Sequence, residues 1–142
     1  MTQPSSELLW GAAIHEAGHA IAAIHYKLAL GDVWINDYGD GGGGTHINLR
    51  DEGRLHTVDR LAVVYGGGAA QEHFNAPTNS DALAEDERRA DEIVRHLNEA
   101  ERLAAKAAGR VRALKIVIAR ADEAVKLARR LFEERRINLA NV

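Results

Sequence analysis

Two histidines and a glutamate near the start of the chain form the pattern His-Glu-x-x-His, with His15, Glu16 and His19. On a helix the two histidines lie about 40° apart and one turn from each other, so both imidazoles can bind one metal ion. Glu16 is one step round from His15 and can take a proton from a water bound to that ion. The pattern is typical of zinc-dependent peptidases.

The residues around this motif are mostly apolar, among them Ile14, Ile21 and Ile24. We therefore expect the motif to face a packed interior, where two unpartnered histidines beside a glutamate would be costly to bury. A bound Zn²⁺ removes that cost. The chain has no cysteine, so imidazole and carboxylate groups must hold the zinc, which suits a catalytic site better than a structural one.

A catalytic zinc needs a third protein ligand. His25 falls at the last histidine of the metzincin pattern, but Ala22 stands where that pattern has glycine. On a continuous helix His25 lies about 9 Å further along the axis and about 120° round from His19, so we expect that it does not reach the ion. Spacing alone leaves several other candidates open, namely His46, Glu72, His73, Asp81, Glu85, Asp86 and His96.

The length of 142 residues fits one domain, residues 1–142, with a sizeable core. Hydrophobic periodicity predicts a mainly α fold with one small β-hairpin and a long C-terminal helical pair. The Gly run at 41–44 reads as the tip of the hairpin, because the chain contains no Gly-Lys pair for a phosphate loop. The predicted elements are a motif helix over 6–30 ended by Gly31, a hairpin over 32–50, a helix over 57–74, and C-terminal helices over 81–136 with a hinge at Gly109.

Three consecutive glycines, Gly66, Gly67 and Gly68, fall in the middle of the predicted second helix. Each costs about 1 kcal/mol of helix stability relative to alanine. We expect them to permit close packing against the motif helix, and a break in the second helix is the alternative.

Charge and hydropathy exclude several classes of protein. The chain has 18 basic and 21 acidic residues, which argues against non-specific nucleic-acid binding. It has no run of about 18 uncharged apolar residues and no signal-peptide pattern. We therefore expect a soluble, cytoplasmic protein whose partner is a polypeptide substrate, with no nucleic acid and no membrane.

Two further segments accompany the His-Glu-Ala-Gly-His-Ala motif: Val-Tyr-Gly-Gly-Gly-Ala-Ala-Gln-Glu at 64–72 and Asp-Glu-Arg-Arg-Ala-Asp-Glu-Ile at 86–93. Together, in this order, they resemble the peptidase domain of the FtsH-type AAA+ zinc proteases. In that family the last segment reads Asp-Leu-x-x-Ala-Thr-x-Ile, and its Asp is the third zinc ligand. The resemblance implies Asp86 in that role, with Asp81 as the fallback, and a supporting role for Glu72.

The chain departs from that family in important ways. It has no Walker motif, no ATPase module and no membrane segments, and residues 98–118 read as continuous helix where the family has a loop-bearing region. The resemblance therefore implies a stand-alone helical zinc-peptidase domain. A homo-oligomer and a separate ATPase partner remain open.

These observations predict an ATP-independent zinc metalloendopeptidase that hydrolyses flexible or unfolded polypeptides. His15, His19 and Asp86 hold the zinc, and Glu16 is the general base. An edge strand captures the substrate main chain by strand addition. Its predicted residues are Thr45, His46, Ile47, Asn48 and Leu49.

The alternative function is a non-catalytic metal-binding regulatory or protein-interaction module that keeps the peptidase fold. The intact Glu16 favours the enzyme, and the missing motor favours the alternative. A membrane-embedded site-2-type protease has a similar motif, but the chain lacks spanning segments.

Overall fold

The computed structural model describes residues 6–37, 40–47 and 54–140. The predicted mainly α class is confirmed, since 69% of the described residues are helical and a small antiparallel sheet completes the fold. The elements in chain order are α1 (Ser6–His25), β1 (Leu30–Ile35), β2 (Gly43–Ile47), α2 (Thr57–Phe74), α3 (Ser80–Val94), α4 (Glu99–Ala119), α5 (Ala121–Glu134) and β3 (Arg136–Asn138).

Helix α1 is the central element of the fold. Every residue from 11 to 23 is buried, because α2, α5 and the sheet surround the helix. A helix that is apolar on all sides, apart from its histidines and glutamate, belongs in such a position. The motif therefore lies in the interior, as its apolar neighbours predicted.

Helix α1 ends earlier than predicted, at His25 rather than near residue 30. Lys27 adopts a left-handed conformation with φ 59°. Its N–H donates to Ile24 O, and the N–H of Leu28 donates to Ala23 O. These two bonds form a Schellman motif that closes the helix with a lysine where glycine is usual. The prediction that Gly31 ends the helix is therefore wrong, and Gly31 lies inside β1.

The sheet has three antiparallel strands in the order β2-β1-β3, so the predicted hairpin forms one side of it. The third strand was not predicted. Arg135 has φ 69°, which turns the chain back after α5 and sets Ile137 opposite Val33 of the central strand. Both of these side chains are buried, and they anchor the sheet to the core.

The predicted C-terminal pair is wrong, because three helices occupy this region. Asn98 and Glu101 form a reciprocal capping box that starts α4, so the chain breaks between α3 and α4. The predicted hinge at Gly109 is also wrong. Gly109 lies inside α4, where a Cβ would meet the Cβ of Leu61 at 2.6 Å, so the glycine allows α4 to pack closely on α2.

The glycines of α2 mark a close crossing with α1. A Cβ on Gly66 would lie 2.6 Å from the backbone oxygen of Gly18, and a Cβ on Gly18 would clash with the backbone oxygen of Gly66. Helix α2 continues unbroken through this point. The prediction of close packing is confirmed for Gly66 and Gly67, whereas Gly68 faces Leu83 of α3 at an ordinary contact distance of 3.4 Å.

None of the helices in the described part of the chain combines the length and the apolar character needed to cross a bilayer.

Candidate metal centre

Three buried polar side chains from two helices converge on one point. His15 Nε2 lies 3.0 Å from His19 Nε2, and Asp86 Oδ2 lies 3.0 Å from the first nitrogen and 3.2 Å from the second. All three residues are less than 10% exposed. In the part of the chain that the structure describes, this is the one group of three or more His, Asp or Glu side chains close enough to share a metal ion.

The other ring nitrogen of His15 fixes the tautomer of this imidazole. His15 Nδ1 lies 2.7 Å from Gln71 Oε1. The amide nitrogen of Gln71 donates to the backbone oxygens of Gly11 at 3.2 Å and Pro77 at 2.9 Å. Carbonyl oxygens only accept, so the end of the Gln71 amide that faces them is the nitrogen, and the end that faces His15 is the oxygen, an acceptor. His15 must therefore donate through Nδ1–H.

His19 is held in the same tautomer by the backbone. Its Nδ1 lies 2.9 Å from the carbonyl oxygen of Val63 on α2, and a carbonyl can only accept. When both rings are neutral, the Nε2 atoms of His15 and His19 are therefore unprotonated, and their lone pairs face each other. Hydrogen bonding of the outer ring nitrogen is the arrangement that fixes metal-binding histidines in proteins.

The carboxylate of Asp86 adds a third electron pair to this point. Asp86 Oδ2 is fully buried. While both imidazoles are neutral it has no hydrogen-bond partner, because the nearby Nε2 atoms then carry no proton. Three acceptors within 3.2 Å of one another repel unless a cation lies among them. A tetrahedral zinc sets its ligand atoms about 3.3–3.6 Å apart, so this donor set fits such an ion after small adjustments.

Gly67 of α2 borders the same point. A Cβ on this residue would lie 2.7 Å from His15 Nε2 and 2.7 Å from His19 Nε2. A side chain here would therefore occupy the space in front of both nitrogens. The glycine keeps that space open at a cost of about 1 kcal/mol of helix stability.

The electrostatics of the site favour a positive charge between the imidazoles. Burial by itself lowers the pKa of His19, but the carboxylates of Asp86 and Glu16 outweigh burial and raise it to about 9. Burial likewise raises the pKa of Asp86, and the two imidazoles outweigh it and hold this pKa below its usual range. A proton satisfies this preference in the protein alone, and a divalent cation would satisfy it more fully.

Glu16 lies beside the three ligand candidates and contacts the sheet. The hydroxyl of Thr45 donates to Glu16 Oε1 at 2.8 Å, and it lies 3.3 Å from the backbone oxygen of Glu16. Glu16 is 5% exposed, yet it forms part of the wall of the cleft described next. Strand β2 therefore positions this carboxylate.

A cleft of about 1040 Å³ opens between β2 and α3, with the His15, His19 and Asp86 side chains at its floor. Strand β2 is an edge strand. The N–H of Asn36 donates to Gly42 O, so the alternation of an antiparallel ladder directs the main-chain groups of Gly43 and Thr45 away from β1.

Three of the five residues predicted to bind substrate, Thr45, His46 and Ile47, lie on β2 and line the cleft. The side chain of Thr45 points to Glu16, and that of His46 covers Gly31 on β1. Asn48 and Leu49 lie outside the described residues. Cleft-lining residues that the sequence did not indicate include Arg60, Arg88 and Arg95.

Several other ligand candidates lie away from the cluster. His25 is exposed at the end of α1 and makes an edge-to-face contact with Tyr26, so it does not reach the cluster, as its helical position predicted. Asp81 and Glu72 are exposed. The resemblance implied that Glu72 supports the metal site. In the structure it is its neighbour Gln71 that contacts a ligand candidate, His15.

Sequence reasoning missed Gln71, Val63 and the role of Gly67 in keeping the metal space open. Gln71 could have been found, because it is the first polar residue after the apolar stretch 61–70 and lies one helical turn after Gly67. Val63 acts through its backbone, so no sequence signal identifies it.

No protein-family model matches the chain, and no curated protein matches it.

Proposed function

We propose that this protein is a zinc-dependent endopeptidase that acts on flexible or unfolded polypeptides without ATP, and that it works in the cytoplasm. One observation carries the proposal. His15 Nε2, His19 Nε2 and Asp86 Oδ2 lie within 3.2 Å of one another as buried acceptors, with a glutamate on the cleft wall beside them. Two nitrogens and one carboxylate oxygen suit zinc and leave a coordination position for water.

In this proposal His15, His19 and Asp86 hold the zinc. When bound, the metal would lower the pKa of its water and polarise the scissile carbonyl. Glu16 would take the proton from that water through its carboxylate. Thr45 would keep Glu16 oriented, because its hydroxyl already donates to Oε1 at 2.8 Å.

The substrate would lie along β2 as an added strand. The main-chain groups of Gly43 and Thr45 point away from β1 and offer the hydrogen bonds that such a strand needs. Main-chain pairing selects an extended conformation rather than a sequence. A folded substrate cannot adopt that extended conformation. The three motifs that resemble those of FtsH-type peptidase domains support the same assignment.

Replacing Glu16 by glutamine tests the proposal. Glu16→Gln keeps the size of the side chain and removes the base, so the variant should bind zinc as the wild type does and should not cleave casein. Glu72→Gln makes the same chemical change on an exposed residue of α2 and should leave both properties unchanged.

Two results would contradict the proposal. Undiminished cleavage by Glu16→Gln would remove the role given to this carboxylate. A zinc-loaded wild type that cleaves no unstructured polypeptide would leave only the alternative, a metal-binding regulatory or interaction module.

A further inference from the structure

Helix α4 exposes large apolar side chains on its outer face. Leu103, Val111 and Ile118 are 65%, 55% and 52% exposed. The inner face of the same helix packs on α2 through buried residues such as Gly109 and Ala113. These three are among the four large hydrophobic side chains exposed in the described chain, and their concentration on one helix indicates a binding surface.

The spacing of this surface is that of a coiled coil. Small and large apolar residues recur at alternating intervals of four and three along α4, which is the seam of a heptad repeat. All of them are exposed except Leu114, which is half-buried. The seam of α4 consists of Ala100, Ala104, Ala107, Val111, Leu114 and Ile118.

We propose that the seam of α4 binds the seam of a second copy of this chain, with the two helices antiparallel. Antiparallel pairing sets each large residue opposite a small one. Ile118 meets Ala100 of the second copy, Leu114 meets Ala104, and Val111 meets Ala107. Every layer then has a similar volume, which lets the two helices interdigitate, and each contact occurs twice by symmetry.

The charges beside the seam favour the same orientation. Glu101 follows Ala100 and Lys115 follows Leu114, so both flank the seam on one side. In the antiparallel dimer Glu101 of each copy lies beside Lys115 of the other, whereas a parallel dimer would place Lys115 of one copy beside Arg110 of the other. The antiparallel arrangement also sets the opposite ends of the two helix dipoles together.

Paired cysteines test both the contact and its direction, since the chain has no cysteine of its own. The variants are Ala100→Cys and Ile118→Cys, two exposed positions at opposite ends of the seam. In the antiparallel dimer, identical cysteines lie about 27 Å apart along the axis. Each variant alone should therefore form no disulfide with itself under oxidised glutathione, whereas their mixture should form a disulfide heterodimer. Lys126→Cys on α5, exposed and away from the seam, should crosslink with neither.

Sedimentation analysis of the full chain supplies the second measurement. The wild type should be a dimer, and Val111→Glu should be a monomer with unchanged helical circular dichroism. If Ala100→Cys alone and Ile118→Cys alone each formed a disulfide-linked dimer, the two helices would be parallel, and the proposed antiparallel orientation would be wrong. A monomeric wild type, together with a mixture of the two cysteine variants that forms no disulfide heterodimer, would overturn the proposal.

Discussion

Replacing Gly67 by alanine would fill the space in front of the two imidazoles. The new Cβ would lie 2.7 Å from three ring atoms, where 3.4 Å is an ordinary contact, so about 0.7 Å of overlap must be relieved. The rings cannot turn away freely, because Gln71 and the Val63 carbonyl hold their outer nitrogens. Loss of the outer hydrogen bonds that orient ligating imidazoles lowers metal affinity by about 10- to 100-fold. Shifting the rings off these bonds should cost a similar amount, about 1.4–2.7 kcal/mol.

The same helix offers a matched control. At Gly68 a Cβ would meet only Leu83 Cδ2, at 3.4 Å. Gly68→Ala should therefore leave zinc affinity unchanged and should stabilise the protein by up to about 1 kcal/mol, because alanine favours the helix. Affinity is measured by competition with a chromophoric chelator, and stability by thermal unfolding of the metal-free protein. If Gly67→Ala binds zinc within twofold of the wild type, the ion does not lie in front of these nitrogens.

Three further substitutions test other parts of the site. Asp86→Asn should lower zinc affinity at least about tenfold in the chelator assay, whereas Asp81→Asn on the exposed start of α3 should not; equal effects would reject Asp86 as the third ligand. Gln71→Leu removes the acceptor for the imidazole of His15, and it should lower zinc affinity by about 10- to 100-fold. Unchanged affinity would mean that the hydrogen bond from Gln71 is not needed to orient this imidazole. Thr45→Val should reduce kcat about 10- to 100-fold, the value of one hydrogen bond to a charged group, with zinc affinity and KM unchanged. Thr45→Ser should restore kcat, and a loss of zinc in Thr45→Val would contradict a role limited to positioning.

Local patterns predicted the helices well where the signal was continuous. Helix α2 runs from Thr57 to Phe74, as its apolar period predicted, even through three glycines. The end of α1 was missed because Lys27 takes the left-handed conformation that usually marks glycine. Its backbone is held there by the two capping bonds and by the burial of Leu28, which depend on the rest of the fold.

Strand β3 was missed for a different reason. It has three residues, too few for an alternating pattern, and its partner β1 lies about a hundred residues earlier in the chain. The sequence between 94 and 121 was also misread, because alanine-rich helical periodicity continues across two helix boundaries. The boundary before α4 does have a sequence signal, the capping box of Asn98 and Glu101.

In the candidate site too, local sequence predicts some of the residues that come together, and tertiary packing decides the rest. His15 and His19 are four residues apart, so a helix alone brings them together. Asp86 lies about seventy positions further on, and spacing left it as one of seven candidates. What brings it to the imidazoles is the packing of α3 against α2, which in turn crosses α1 at Gly18 and Gly66. That chain of contacts is tertiary and has no local signature.

Strand β2 takes part in both functions proposed for the cleft, binding of the substrate main chain and positioning of the base Glu16. The side chain of Thr45 points to the Glu16 carboxylate, while its main-chain groups point away from β1 toward the open edge. Side chains and main-chain hydrogen bonds leave a strand in perpendicular directions, so one residue can serve both. A polypeptide paired with Gly43 and Thr45 would therefore lie beside the proposed base, and any shift of this strand would change both the pairing of the substrate and the hydrogen bond from Thr45 to Glu16. Neither the His-Glu-x-x-His motif nor the hairpin pattern contains this coupling, because it arises only where β2 packs on α1.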